Sequence, residues 1–249
     1  MISSPSLDGS GKTIRIRSRD GGEFDCYLVT PGTDDPVPAV VLASAVHGVD
    51  ADICAIADEF ALRGFIAAAP DLFWRSIPGP LSHDDDRAAQ RSQPRLEKIR
   101  VGESDMADTL AYLGRLPNFN ARAVAMGLCY GGPYAILGPK RLGYAAGVSC
   151  HGSQMLDYIQ EIDGIGEPVC MIWGDRDHRA PVEVLDAYRG IPPRMKNVEV
   201  HTFAGVLHGY MMHGAPKAFD QAAYDFSMAR ALAILDDLRG ARASQAHRP

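Results

Sequence analysis

The sequence predicts an α/β fold in which a doubly wound, mostly parallel sheet carries antiparallel strands at its N-terminal edge. Short apolar segments alternate with segments of helical periodicity along most of the chain, which is typical of strands joined by crossover helices. Several short segments are apolar at every position, as expected for strands that helices cover on both faces. The first two short segments instead flank a turn of Arg-Asp-Gly-Gly, which predicts an antiparallel hairpin.

Composition limits the classes of function. The 249 residues are 46% hydrophobic and 22% charged, which fits one globular domain over residues 1–249. A net charge of -6 without a basic stripe argues against nucleic acid or an anionic membrane surface as a partner. No apolar run reaches about 18 residues, so no membrane-spanning helix is expected. The five cysteines are irregularly spaced and no secretion leader is visible, so a reducing, cytoplasmic location is expected.

The elements follow in order along the chain. We expect strands at residues 13–18, 24–30, 39–43, 65–69, 123–128, 144–149, 169–173 and 198–203, and helices at residues 53–63, 104–116, 182–188 and 219–238, with a further helix directly after the fifth strand. Residues 70–94 are rich in Pro, Gly, Asp and Arg, and long connections of this kind commonly form binding loops or lids. A solvated surface loop is the alternative for its acidic part. Residues 240–249 lack an apolar period and are expected to form a disordered tail.

The fifth strand ends in a glycine-bracketed cysteine. Cys129 lies between Gly127 and Gly131, and small residues at these two places are what a nucleophile elbow requires, because the turn from strand to helix is too tight for a Cβ. A thiol there lies close to a helix N-terminus, which favours the thiolate. The alternative is a packed core cysteine beside ordinary turn glycines, since short motifs recur by chance.

Two later strands are followed by the residues that a cysteine nucleophile needs. Asp175 and Asp177 follow the strand at 169–173, and His208 follows the strand at 198–203. The order nucleophile, acid, histidine is that of the α/β-hydrolases. His208 would take the proton of Cys129 and return it to the leaving group, while Asp177 would orient and stabilise the imidazole. Asp175 is the second candidate, although the first Asp of such a loop more often binds the turn backbone.

The remaining histidines fit the catalytic role less well. His151 precedes the acid in the chain, His178 adjoins it, and His201 and His213 lack a glycine-flanked loop. We expect each of them at the surface or in a supporting position. No metal site is expected, because no pair of histidines has the spacing of H-E-x-x-H or a similar motif.

With these residues the chain resembles the dienelactone hydrolase family of α/β-hydrolases, which includes the carboxymethylenebutenolidases. The resemblance extends from residue 24 to about residue 238 and rests on residues 127–132, 69–73, 174–178 and 205–209. It implies a triad of Cys129, Asp177 and His208, and an oxyanion hole formed by the backbone N–H groups of Val46 and Tyr130. It also implies hydrolysis of a small ester or lactone without a cofactor, by a monomer or homodimer.

The chain departs from the family pattern around the expected substrate. Ala45 stands where dienelactone-cleaving members have a glutamate that contacts the resting thiol, and no arginine follows His208. For the family's other carboxylate-binding arginine, Arg87 and Arg91 are the candidates. The substrate pocket is expected to draw on Phe73, Trp74, Tyr210 and Met211. These departures predict that neutral substrates are hydrolysed at least as well as carboxylated ones.

Two functions from different classes are compatible with this pattern. The first is a cysteine hydrolase that forms a thioester on Cys129. The second is a catalytically weak ligand-binding or thiol-sensing protein on the same scaffold, with Cys129 responding to oxidants or electrophiles. The presence of both His208 and Asp177 favours the hydrolase, because a sensor needs neither residue.

Overall fold

The computed structural model describes residues 11–180 and 182–240, and their strands form one eight-stranded sheet of order β1-β2-β4-β3-β5-β6-β7-β8. The strands are β1 (Lys12–Arg17), β2 (Glu23–Val29), β3 (Val37–Ala43), β4 (Ile66–Pro70), β5 (Phe119–Leu128), β6 (Ala146–Cys150), β7 (Val169–Gly174) and β8 (Val198–Phe203). All neighbours from β4 to β8 run parallel, while β1 pairs with β2, and β2 with β4, in antiparallel register. The predicted fold class is therefore confirmed, including its antiparallel edge.

Helices cover both faces of the sheet. They are α1 (Ala51–Leu62), α2 (Arg87–Arg91), α3 (Arg95–Leu113), α4 (Tyr134–Leu137), α5 (Val182–Arg189) and α6 (Gln221–Gly240). Two apolar clusters lie on opposite faces of the sheet. In β3, Val41 belongs to the cluster that includes side chains of α3, α4 and α5, whereas its neighbours Val40 and Leu42 belong to the cluster that includes side chains of α1 and α6. This alternation explains why the strand is buried throughout, since each face meets its own layer of helices. None of the described helices combines the length and apolarity that crossing a membrane requires.

Two differences from the predicted elements concern the connection after β4. Residues 71–94 contain the short helix α2, and α3 begins at Arg95 instead of residue 104. The first turns of α3 are mostly charged, but they bury Ile99 and Gly102, and a Cβ at Gly102 would lie 2.1 Å from the hydroxyl of Tyr134. Packing against α4 therefore sets this part of the helix rather than an apolar period. The predicted tail at 240–249 lies, beyond Gly240, outside the described residues.

Candidate active site

Cys129 occupies a sharp turn at the carboxyl end of β5. Its φ is +51°, a left-handed value that is unusual for a residue with a side chain. A Cβ at Gly127 would lie 2.1 Å from the carbonyl oxygen of Gly131, and a Cβ at Gly131 would lie 2.0 Å from that of Ala43. Neither backbone could yield, so glycine is required at both positions. The turn thereby lifts the half-buried thiol above the end of the sheet.

The loops after β7 and β8 bring an acid and an imidazole to this thiol. His208 Nε2 lies 3.0 Å from Cys129 Sγ, and His208 Nδ1 lies 2.8 Å from Asp177 Oδ2. The other oxygen of Asp177 accepts the backbone N–H of Arg179 at 2.7 Å. Asp175 accepts the N–H of Gly205 instead, so it joins the two loops and does not contact the imidazole.

The surroundings of the thiol and the imidazole favour an ion pair. Burial works against a charged Cys129, but the nearby His208 and His151 outweigh it and hold the thiol pKa well below its usual value. Burial likewise opposes a charged His208, yet the thiolate and Asp177 raise the pKa of His208 to about 10. Both shifts favour a thiolate beside an imidazolium, a state in which one ring N–H donates to Sγ and the other to Asp177.

Cys129 and His208 open onto a cavity of about 500 Å³. Its wall includes Val46 and His47 from the loop after β3, and residues 83–86 from the connection between β4 and α2. The wall carries charges of both signs. The connection supplies Asp84, Asp85 and Asp86, and Arg95 and Arg179 also line the wall. The volume suits a small molecule, because ligand pockets commonly measure about 300–1,000 Å³.

The sequence model of the dienelactone hydrolase family matches residues 24–238. The chain belongs to this family. It is an ester or lactone hydrolase.

Individual proteins agree with the family assignment. Carboxymethylenebutenolidase 1 of Cupriavidus pinatubonensis is 29% identical over 233 residues, which cover 91% of this chain and 97% of the relative. A Bradyrhizobium protein named as a probable 2-oxo-3-(5-oxofuran-2-ylidene)propanoate lactonase is 25% identical over 202 residues, covering 75% and 79% of the two chains. Among solved structures, a dienelactone hydrolase-like promiscuous phosphotriesterase from metagenomic libraries has a TM-score of 0.77 at 18% identity. The superposed region covers 93% of this chain and 100% of the other protein's chain. At this low identity the likeness supports the fold alone.

The arginines suggested by the family pattern do not reach the cavity wall. The guanidinium of Arg91 is buried and donates to the carbonyl oxygens of Val46, Ile77 and Gly79 at 2.6 to 2.9 Å. It therefore braces the loops behind the cavity. Arg87 is exposed and is paired with Asp85. Neither side chain is placed to hold a substrate carboxylate, because each is engaged elsewhere.

The aromatic and apolar residues expected in the pocket also lie elsewhere. Phe73, Tyr210 and Met211 are buried in the two apolar clusters. The Trp74 ring stacks on Phe24 and its N–H donates to Asp105. Proximity in sequence to a strand end or to His208 was the basis for expecting these residues in the pocket, but their side chains turn toward the core.

Arg95 is a cavity residue that sequence reasoning missed. It begins α3, and its guanidinium donates to the carbonyl oxygens of Tyr130 and Ser153, each at 2.9 Å. Its Nε has no hydrogen-bond partner, and within the described residues no carboxylate lies in ion-pair range of it. Burial lowers its pKa from the usual range. A correct prediction of the start of α3 would have directed attention to this residue.

His151 was expected at the surface or in a supporting position, and it takes the supporting one, buried beside the imidazole of His208. It follows β6 with a φ of +40° and is fully buried. Its ring lies edge-on to those of His208 and Tyr210, with centroids 5.0 and 5.1 Å away. Neither ring nitrogen has a hydrogen-bond partner among the described residues. The usable signal was its position at the carboxyl end of a strand next to β5, where ligand-binding residues collect.

The two residues predicted to form the oxyanion hole lie near the thiol. Val46 lines the cavity beside Cys129, and Tyr130 follows Cys129 directly, with its ring buried against Phe73 at a centroid distance of 4.8 Å. The assignment of their N–H groups to an oxyanion remains a prediction. Ala45, which stands in place of the family glutamate, is buried, so the described part of the site brings no carboxylate from this loop position to the thiol.

Proposed function

We propose that this enzyme hydrolyses a small ester or lactone through a thioester on Cys129. The observation that carries the proposal is the unbroken series of contacts from Cys129 Sγ to His208 and from His208 to Asp177, at one end of the cavity. Nucleophile, base and orienting acid in such contact are the requirements of covalent acyl transfer.

In the first half-reaction the Cys129 thiolate attacks the substrate carbonyl carbon and the carbonyl oxygen becomes an oxyanion. The backbone N–H groups of Val46 and Tyr130 would stabilise this charge. When the intermediate collapses, the carbon–oxygen bond to the leaving group breaks, and the leaving alkoxide takes the proton from His208 Nε2. The thioester is then bound to Cys129, and His208 is neutral.

In the second half-reaction neutral His208 removes a proton from water as the water attacks the thioester carbonyl. Collapse of the second intermediate expels the Cys129 thiolate and leaves His208 protonated, which restores the resting ion pair. The carboxylic acid product loses its proton to solvent. Asp177 stabilises the imidazolium in both resting and intermediate states. The net reaction adds one water across the ester bond.

The class of substrate is supported by the names of the relatives and by the cavity. One relative is named a carboxymethylenebutenolidase and another a lactonase. In a lactone the leaving alkoxide stays tethered to the acyl group, so the thioester intermediate holds the whole opened ring. A cavity of about 500 Å³ has room for a molecule of this size.

A p-nitrophenyl ester tests the mechanism. We expect a burst of p-nitrophenol equal to the amount of enzyme, with an acylated peptide containing Cys129 in the mass spectrum of the quenched reaction. Cys129→Ala and His208→Ala should each lose nearly all hydrolysis with little change in unfolding midpoint. Full activity in either variant would refute the assignment of the triad.

The thiol-sensing protein remains the second candidate because the surroundings of Cys129 lower its thiol pKa and so favour the thiolate. Thiolates are the species that oxidants and electrophiles attack. A protein that alkylates rapidly but gives no burst and no turnover with esters or lactones would favour this candidate. We also propose a reducing, cytoplasmic location, which the irregular spacing of the five cysteines supports.

A further inference from the structure

Outside the triad, ionisable side chains from separate segments meet at the wall of the cavity. His47 lies in the loop after β3, Asp50 immediately precedes α1, and His83 lies in the connection between β4 and α2. The rings of His47 and His83 stack with centroids 4.2 Å apart. Asp50 Oδ2 lies 3.5 Å from His83 Nε2. One nitrogen or carboxylate oxygen of each residue lies within 4.8 Å of those of the other two.

The backbone holds these residues together. The N–H of Leu81 donates to the carbonyl oxygen of His47 at 2.9 Å, which ties the His83 segment to the loop after β3. Asp50 caps α1 by accepting the N–H of Ile53 on Oδ1 at 3.1 Å, so its other oxygen is directed toward His83. Hydrogen bonds to the backbone therefore hold the two loops and the Asp50 side chain in place.

A third segment closes the cluster from the outside. The N–H of Gly214 donates to Asp52 Oδ2 at 2.8 Å, and this oxygen lies 3.9 Å from His83 Nε2. A Cβ at Gly214 would lie 2.9 Å from His83 Nε2. The backbone at Gly214 thus lies so close to His83 that a side chain would not fit there. The carboxylate of Asp52 adds negative charge next to the imidazole of His83.

We propose that His47, Asp50 and His83 form a binding site for one divalent transition-metal ion, with Zn²⁺ as the best-fitting ion. Two imidazoles and one carboxylate are a ligand set that Zn²⁺ accepts, with a fourth position left for water or substrate. Bonds of about 2.0–2.2 Å place tetrahedral ligands about 3.4 Å apart. An imidazole nitrogen binds an ion in the plane of its ring, so the exposed His83 must turn out of its stack on His47 to close the site. Because His47 and His83 both line the cavity, the open position faces it.

Charge favours an ion at this position. Asp84, Asp85 and Asp86 line the same cavity, so a dication would reduce their mutual repulsion.

One other triplet among the described residues has comparable spacing, namely Cys170, Glu199 and His201. There the guanidinium of Arg230 already donates to the Glu199 carboxylate, and a metal ion would be repelled by this positive charge. This triplet therefore serves as the control.

Metal titration tests the site without relying on hydrolysis, so failure of this proposal and failure of the proposed function are distinguishable. The parent for the test is Cys129→Ser, because Cys129 and His208 could themselves bind a soft metal ion. Metal-free protein is titrated with Zn²⁺ in a calorimeter and with Co²⁺ in a spectrophotometer. We expect one equivalent to bind, with visible Co²⁺ bands and no sulfur-to-cobalt charge transfer in the near ultraviolet.

In this parent, His83→Ala and Asp50→Asn should each weaken binding by roughly tenfold or more, since each removes a ligand. Asparagine can still cap α1, so the Asp50 variant keeps its fold. His201→Gln should bind like the parent. Three results would each overturn the proposal: no binding in the parent, binding as tight as the parent's in both His83→Ala and Asp50→Asn, or loss of binding in His201→Gln alone.

Discussion

Replacing His208 by asparagine tests the resting ion pair directly. The imidazolium nitrogen lies 3.0 Å from Sγ, and opposite unit charges at this distance attract by about 5 kcal/mol at an effective dielectric constant of about 20. Burial, which disfavours the thiolate, is unopposed by this charge in the variant. Since only His151 then opposes burial, we expect the thiol pKa of Cys129 to rise toward the free-thiol value of about 8.5.

Alkylation by iodoacetamide measures this change. In the wild type the rate constant should be nearly independent of pH between about 6 and 8, because the thiolate is already formed. In His208→Asn it should rise by about tenfold per pH unit over the same range. A thiol of pKa about 8.5 is less than about 1% ionised at pH 6, and the higher nucleophilicity of its thiolate offsets only part of this loss. The net decrease at pH 6 should be roughly tenfold or more.

The other thiols do not obscure the measurement. Burial raises the pKa of Cys54 to about 11 and the pKa values of Cys150 and Cys170 to about 12, so they should be unreactive near pH 6. Cys129→Ala supplies the blank. If the wild type itself showed the steep rise with pH, or if His208→Asn kept a flat profile, the ion pair would not exist as described.

Further substitutions test the turn, the loop and the cavity. Gly131→Ala should lower the free energy of unfolding by about 3 kcal/mol or more in urea titrations, because its Cβ would lie 2.0 Å from the Ala43 carbonyl oxygen; Gly166→Ala, which meets no atom within 4 Å, is the control. Ala45→Glu should slow alkylation of the thiol at pH 6 relative to Ala45→Gln, since a carboxylate there opposes the thiolate. Arg95→Gln should reduce kcat/KM for a carboxylated ester by about 10- to 100-fold relative to a neutral ester of equal size, a change that exposed Arg87→Gln should not produce.

Much of the fold could be predicted because a β-strand that is buried on both faces has an uninterrupted run of apolar residues in the sequence. β8 has the predicted bounds, and β7 differs from its predicted end by one residue. The elbow was predictable for a steric reason, since Gly127 and Gly131 have no freedom to vary once the turn is formed. The chain order then confined the acid and the imidazole to the loops after β7 and β8.

The cavity wall could not be predicted in the same way. The carbonyl oxygens that hold Arg91 come from Val46 and from the connection at Ile77 and Gly79, which are brought together only by the folded loops. The orientation of His151 could not be predicted for a different reason. A residue that follows a buried strand can turn toward the core or toward solvent, and its φ of +40° is not encoded by its residue type.

Arg95 changes the expectation that neutral substrates are favoured, and it admits two physical interpretations. The buried triad carries one net negative charge, because the thiolate and the imidazolium cancel and Asp177 remains. A buried guanidinium near Cys129 could balance this charge, or it could await a substrate carboxylate, since an unpaired buried cation is unfavourable. The first interpretation predicts that Arg95→Gln raises the thiol pKa and slows neutral and carboxylated esters alike. The second predicts an unchanged alkylation profile and a loss confined to the carboxylated ester.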